Sequence, residues 1–244
     1  MPAPSSALLE RLAARLGPKG FTRDAEAMAP WLTDWRGRYA GAAAAMLSPA
    51  NAADVAEVVR LCAGEGVPLV PQGGNTSMVG GATPDGSGDA MLLSLRRMNR
   101  NRALDAAAGL AVCEAGVILA SLHEAALEAG RRFPLTLGAK GSATIGGLVS
   151  TNAGGTQVLR HGTMRALVQG LEAVLPDGSL VEGLAPLKKD NRGYSLTQLL
   201  IGAEGTLGVV TAASLKLVPA VGAPPVAWLG LEGPESARGV LRHV

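Results

Sequence analysis

Leu137-Gly138-Ala139-Lys140-Gly141-Ser142-Ala143-Thr144-Ile145-Gly146-Gly147 is the stretch on which the fold of this chain turns. Pro134 stands just before it. Thr151-Asn152-Ala153-Gly154-Gly155 and Arg160-His161-Gly162 follow. Glycines this dense, interleaved with Ser, Thr and Asn, predict neither an ordinary strand nor an ordinary helix. They predict backbone that comes close to a large polar ligand and surrounds it with N–H groups. Two smaller clusters have the same character. Pro71-Gln72-Gly73-Gly74-Asn75-Thr76-Ser77 follows a short apolar run, and Glu204-Gly205-Thr206-Leu207-Gly208-Val209-Val210-Thr211 leads into another. A run of N–H groups and two hydroxyls at a strand's end suits two linked phosphates. Taken alone, an ordinary glycine turn accounts for that loop equally well.

The usual nucleotide motifs do not fit. No GxGxxG joins a strand to a helix, and no GxxxxGK[ST] is present; Gly138-Ala139-Lys140-Gly141-Ser142 is only similar to the latter. The spacing therefore disfavours a nicotinamide site and a P-loop, and points to a flavin.

Bulk composition narrows the class. The 244 residues are 48% apolar and 17% charged, enough for a sizeable core and unlike a disordered chain. A net charge of +2 and only 3% aromatic residues exclude a nucleic-acid surface with a stacking platform. The pairs Arg96-Arg97, Arg131-Arg132 and Lys188-Lys189 read as solvated surface. Cys62 and Cys113 read as small buried hydrophobes, one on a helix and one on a strand, and no Cys/His cluster suggests zinc or an iron–sulfur centre. The N-terminus lacks the pattern of a signal peptide, and no apolar run is long enough for a transmembrane segment. These features lead us to expect a cytoplasmic protein, with peripheral membrane association left open.

Periodicity predicts helices over 6–16, 52–63, with Asn51 as N-cap, 119–129 and 196–200. Strands are expected at 43–47, 67–70, 90–95, 111–114, 167–175, 179–181 and 209–217, with Pro176-Asp177-Gly178 as a turn. The tail predicts a strand over 226–231 and the start of a helix over 235–244. Its pattern is cut short, so the chain is expected to be the N-terminal piece of a longer protein.

The motifs PQGGNTS at 71–77, LGAKGSATIGG at 137–147, TNAGG at 151–155 and KDNRGYSLTQLLIGAEGTLG at 189–208 resemble the FAD-binding domain of the vanillyl-alcohol oxidase / p-cresol methylhydroxylase flavoprotein superfamily. Within it, the chain is similar to the D-2-hydroxyglutarate, D-lactate and glycolate dehydrogenase group, from about residue 40 to 220. The resemblance implies an α+β fold with two subdomains: a small β-α-β unit over about 41–95, and a larger, mostly antiparallel sheet with flanking helices over 96–220. Residues 1–40 would be an N-terminal helical segment, and 221–244 the truncated start of a substrate-binding cap.

The resemblance also implies site roles. Gln72, Gly73, Gly74, Asn75, Thr76 and Ser77 would hold the FAD diphosphate. Gly138, Gly141, Ser142, Thr144, Ile145 and Gly146, with Pro134, would line the cofactor. Asn152, Gly155 and Gly162 would lie toward the flavin, and Glu204, Gly208, Val209 and Val210 around the adenosine. Relatives with covalent flavin often carry His where this chain has Asn75, so FAD is expected to be non-covalent. His161 stands where relatives often have Tyr and reads as a packing or hydrogen-bonding residue. Lys189-Asp190-Asn191 reads as a polar loop rather than a catalytic triplet.

The implied reaction oxidises a small D-2-hydroxy acid to a 2-oxo acid, with hydride passing from the substrate Cα to flavin N5. Electrons would leave to a quinone, an electron-transfer flavoprotein or a cytochrome, and a homodimer is left open. The catalytic base and any metal ligands are expected beyond Val244, so this piece is expected to bind FAD without turning over. Two alternatives remain: an alcohol or aldonolactone oxidase of the same superfamily, or a non-catalytic FAD-carrying subunit of a glycolate oxidase-like complex.

Overall fold

The computed structural model describes residues 2–185, 187, 191, 193–222 and 226–242. The chain opens with α1 (Ser6–Leu16), whose N-cap Ser5 accepts the Leu8 N–H at 3.1 Å and whose Leu8, Leu12 and Leu16 are buried. β1 (Phe21–Thr22), α2 (Ala25–Met28) and a 3-10 turn at Ala29–Trp31 lead to β2 (Ala45–Leu47). α3 (Ala52–Glu65) starts at Asn51, whose side chain accepts the Asp54 N–H, and ends at Gly66, whose φ of 67° stops it. β3 (Leu69–Gln72) and β4 (Met91–Ser94) complete a sheet of order β1-β2-β4-β3. Its β2, β4 and β3 are parallel, and β1 runs antiparallel to β2.

Every residue of β2 and β4 is buried, as expected of parallel strands covered on both faces. One face packs Leu47, Met91 and Leu93 against Leu8 and Leu12 of α1 and Val55, Val58 and Cys62 of α3. The other packs Met46 and Leu92 against Met28 and Trp31. α1 thus shares a core with the first sheet.

The second half begins with β5 (Asn101–Asp105), β6 (Leu110–Glu114), α4 (Leu119–Glu128), β7 (Arg131–Arg132) and α5 (Ile145–Ser150). It continues with α6 (Val158–His161), α7 (Met164–Leu167), β8 (Val168–Val174), β9 (Leu180–Gly183) and α8 (Leu196–Leu200). β10 (Val209–Lys216), β11 (Val218–Pro219) and α9 (Pro234–Val240) close it. Five strands form an antiparallel sheet of order β5-β6-β10-β8-β9, and β11 pairs with β7. One face of the large sheet meets α4, α5 and α7 in a core that includes Cys113, Leu119, Leu122, Ile145, Val149, Leu171 and Leu215. At one end, Ala115, Val174 and Val209 instead join the core of the first sheet. Arg60 of α3 donates to the Gly178 carbonyl at 2.9 Å across the same seam.

The α+β, two-sheet architecture expected from the motifs is the one that folds. Three expectations need correction. Ile145–Ser150 is a helix despite its glycines: Gly146 and Gly147 lie inside it, and the missing side chain of Gly146 lets it sit against Ala115 at the end of β6. Residues 226–231 form no strand and pair with none among the described residues, and Val226, Trp228 and Leu229 are exposed. The strand expected at 67–70 pairs over Leu69–Gln72, and so delivers Gln72 itself into the sheet. β5 went unforeseen because it is a mostly exposed edge strand without an apolar face. Lys188-Lys189, Lys189-Asp190 and His243 lie outside the described residues.

Candidate cofactor site

β3 ends at Gln72 and releases the chain into the loop 73–82, against which the other two glycine segments close. A Cβ on Gly74 would collide with the Ser142 carbonyl, and one on Gly73 with Thr144 Oγ1. A Cβ on Gly146 would lie 2.7 Å from Ala115 Cβ, and one on Gly205 would lie 3.0 Å from Pro71 Cγ. Much of the glycine density therefore serves contact between the three segments themselves, not only approach to a ligand. Two strand-end hydrogen bonds lock the arrangement: Ala115 N–H donates to Thr211 O at 2.8 Å, and Gly146 N–H donates to Ala115 O at 2.7 Å. The Glu204 N–H donates to Ser150 O at 2.9 Å, which ties the third segment to α5.

Between the three segments lies a cavity of about 350 Å³. Of the residues singled out in the sequence, Gln72 to Ser77, Thr144, Gly146, Glu204, Gly208, Val209 and Val210 line it. Gly141 and Ser142 line a neighbouring cleft, which shares Gly73, Gly74 and Thr144 with the first and adds Trp31 and Arg96. Pro134, Gly138, Ile145, Asn152, Gly155 and Gly162 line neither. The Ile145 side chain is in the large core, and its N–H donates to Val117 O at 2.9 Å. Asn152 Oδ1 accepts the Arg165 N–H at 2.9 Å. Sequence reading passed over Ala115, Leu95, Met78 and Val79, which also line the cavity. Ala115 carries no signal beyond being small where a strand ends.

The polar groups of this cavity suit a phosphorylated ligand. None of the N–H groups from Gly73 to Ser77 donates to an acceptor among the described residues. Thr144 is 7% exposed and its Oγ1 is buried without a partner, as is Oε1 of Gln72. A buried hydroxyl costs about 1–3 kcal/mol when left unpaired, and that of Thr144 can donate to a phosphate oxygen, whereas the amide oxygen of Gln72 only accepts. Among the described residues, three other than glycine have positive φ: Asn75 at 51°, Asn152 at 46° and Glu204 at 51°. Asn tolerates this region readily. Glu does so at about 1–2 kcal/mol, and Glu204 is at the cavity wall.

A buried ion network underlies the cavity's floor. Arg102 of β5 donates to both oxygens of Glu172 at 2.9 and 3.0 Å and to Glu114 Oε1 at 3.2 Å. Arg100 reaches Glu114 at 2.9 Å, and Thr211 Oγ1 donates to Glu172 at 2.8 Å. Burial alone would raise both carboxyl pKa values. The hydrogen bonds outweigh it, from Arg100 and Arg102 to Glu114 and from Arg102 and Thr211 to Glu172, and both are held below the ordinary range. The residues next in line, Ala115 and Val210, are cavity residues.

His123 and His161 do not line this cavity. His123 Nε2 is 2.9 Å from the Leu135 carbonyl, and burial lowers its pKa. His161 Nε2 is 3.4 Å from Arg132 Nη2; burial first, then Arg132, Arg160 and Lys216, lower its pKa. Both thiols are buried and pushed up to about 12 by burial.

A family model described as FAD binding domain matches residues 43–183, the span that builds β2 through β9 and two walls of the cavity. The chain belongs to the FAD-binding domain family. Its cofactor is FAD, and the free N–H groups and orphaned hydroxyl fit that group's diphosphate. The chain is 44% identical over 219 residues to the mitochondrial D-2-hydroxyglutarate dehydrogenase of Bos taurus, covering 90% of this chain and 40% of the relative. It is 40% identical over 207 residues to a D-2-hydroxyglutarate–pyruvate transhydrogenase of Saccharomyces cerevisiae, covering 85% and 41%. This FAD-binding domain thus spans about two fifths of the length of the curated relatives it matches. Its fold is that of alkyldihydroxyacetonephosphate synthase, with a TM-score of 0.78 at 22% identity, covering 89% of this chain and 41% of that one. Among the described residues, no helix is long and apolar enough to cross a membrane.

Proposed function

We propose that this chain is the FAD-holding portion of a flavin-dependent D-2-hydroxy-acid dehydrogenase. The run of unpaired N–H groups from Gly73 to Ser77, beside the buried Thr144 hydroxyl, carries the reading. The names of the relatives support the substrate class. In this reading the diphosphate lies on the 72–77 loop and the adenosine against Glu204, Gly208, Val209 and Val210. Pro134, Gly138, Gly141, Ser142, Thr144, Ile145 and Gly146 follow the ribityl side. Asn152, Gly155 and Gly162 lie toward the flavin. FAD, when bound, supplies the acceptor for a hydride from the substrate Cα. The chain's own part is to hold the dinucleotide extended and keep water from its polar linker. Residues 41–220 would form the FAD-binding unit, and 221–244 would lead into the cap.

The flavin is held without a covalent bond in this reading, because the Asn75 amide is a poor nucleophile and donates to the Thr33 carbonyl at 2.7 Å. Acid precipitation should leave all flavin in the supernatant; flavin in the pellet would refute this. The partners would be a D-2-hydroxy acid and an electron acceptor such as a quinone, an electron-transfer flavoprotein or a cytochrome, in a monomer or homodimer. A cytoplasmic place, with peripheral membrane association open, would rest on the sequence features given above, whereas the relatives include one named as mitochondrial. The deciding experiment is dye reduction by the full-length, FAD-loaded protein with D-2-hydroxyglutarate and D-lactate. Turnover of either supports the reading. FAD binding without turnover of any D-2-hydroxy acid would favour a carrier subunit.

A further inference from the structure

Two residues that line the cavity, Gln72 and Asn75, give their side-chain amide donors to other parts of the chain. They hold a second piece of chain. Gln72 is 2% exposed, and its Nε2 donates to the carbonyls of Trp31 at 2.9 Å and Ala82 at 2.8 Å. Asn75 Nδ2 donates to the carbonyls of Thr33 at 2.7 Å and Pro30 at 3.4 Å. The two amides thereby grip three carbonyls in residues 30–33, one from the end of β3 and one from the loop that follows it.

The gripped segment is itself a closed unit. Asp34 accepts the N–H groups of Arg38 at 2.6 Å, Tyr39 at 2.7 Å and Arg36 at 3.1 Å, forming a tight turn. The Tyr39 N–H first, then those of Arg36 and Arg38, hold its carboxyl below the usual range against the effect of burial. Thr33 bridges Ala40 behind the turn. The far end returns to the same loop. A Cβ on Gly80 would lie 2.6 Å from the Tyr39 ring, and Ala42 N–H donates to Asp85 O at 2.8 Å. Residues 30–42 thus cross the loop 72–85 as a strap fastened on both sides, with Trp35, Arg36, Arg38 and Tyr39 exposed at its crest.

We propose that Gln72 and Asn75 are positioning residues, and that through them closure of the 30–39 strap and occupancy of the FAD cavity are linked. The inference rests on the reading of the 72–77 loop as the diphosphate site. A ligand that fixes the N–H groups of residues 73–77 fixes the backbone carrying Asn75, and so strengthens the grip on Thr33. By reciprocity, the closed strap holds those N–H groups in their binding arrangement and tightens FAD by the same factor. Asn75 is suited to this place: its φ of 51° aims the loop, and its amide has the donors to reach a carbonyl.

The test uses the full-length protein, stripped of FAD and reconstituted, as wild type, Asn75→Gly and Gln72→Met. Glycine keeps the positive φ and removes the grip; methionine keeps the bulk of Gln72 and removes its donors. The readouts are FAD affinity and the rate of tryptic cleavage after Arg36 and Arg38. Saturating FAD should slow that cleavage in the wild type by about tenfold, within the range usual for linked sites. Asn75→Gly should weaken FAD by about tenfold and keep the strap cleavable when FAD is saturating. Wild-type protein that binds FAD yet cleaves at an unchanged rate would overturn the linkage while leaving the FAD site intact. Unchanged affinity and protection in both variants would overturn the positioning role. Should the variants not fold, hydrogen exchange of amides 34–40 in the wild type decides alone: protection by FAD supports the linkage, and its absence overturns it. Wild-type protein that takes up no FAD would instead refute the reading beneath both.

Discussion

Gly146→Ala puts the packing of the cavity floor to a direct test. The added methyl would lie 2.7 Å from Ala115 Cβ, 3.1 Å from Ala115 O and 3.2 Å from Ala115 Cα. Carbon atoms settle at roughly 3.5–4.0 Å, so α5 and the end of β6 must part by about 1 Å. That movement stretches the 2.7 Å hydrogen bond from Gly146 N–H to Ala115 O. Overpacking costs about 1–3 kcal/mol and the weakened bond about 1 kcal/mol. The better helix propensity of Ala returns about 1 kcal/mol. The net loss is about 1–3 kcal/mol, and Tm should fall by roughly 2–12 °C for a chain of this size. Because Ala115 and Gly146 both line the cavity, FAD affinity should fall as well. The assay is thermal unfolding with and without FAD, beside Gly141→Ala, whose added methyl meets nothing within 4 Å. Gly141→Ala should stay within about 0.5 kcal/mol of the wild type. A Gly146→Ala protein as stable as the wild type, or more so, would refute the argument, because only helix propensity would then be at work.

Three further outcomes are expected. Thr144→Val removes a buried hydroxyl that has no partner, so stability without FAD should hold or rise while the Kd for FAD rises several-fold; an unchanged Kd would show that the hydroxyl serves no ligand. Glu114 and Glu172 have depressed pKa values, so their stabilisation is complete above the ordinary glutamate value of 4.5 and is lost as pH falls through their lower folded values. Arg102→Met should leave the Glu172 carboxylate without an ion-pair partner while Glu114 keeps Arg100, cost about 3–5 kcal/mol and move the acid-unfolding midpoint, followed by circular dichroism, to higher pH; an unmoved midpoint would count against the network. Cys62 and Cys113, buried with thiols raised to about 12, should resist a thiol reagent at pH 8 until the chain is unfolded.

What could be read from the sequence depended on whether a signal was local. α1 and α3 were legible because an N-cap, an apolar stripe and a terminal glycine all lie within one short stretch. β6 and β10 were legible because they are buried. β5 was not, because its stability comes from pairing with β6 and from Arg102, whose partners Glu114 and Glu172 are remote in sequence. The site shows the same division. The loop 73–77 announces itself through glycines and hydroxyls. Ala115 and the carbonyls of residues 30–33 carry no such mark, since backbone atoms and small side chains are chosen by what folds against them. The glycines of 141–147 were read as making room for a ligand, but Gly146 makes room for Ala115. Only the tertiary contact separates those two uses.

The position of β10 has a consequence for how this protein comes into being. It is the last strand of the large sheet in the chain, yet it lies in the middle, between β6 and β8. Until it emerges from the ribosome, those two strands are exposed edges with no partner on that side, and they are open to pairing with other chains. The cavity shares this schedule, because Val209 and Val210 line it from the first residues of that strand. Capture of the cofactor must therefore wait for nearly all of this stretch to be synthesised. The interval before then is when the nascent protein most needs protection from aggregation.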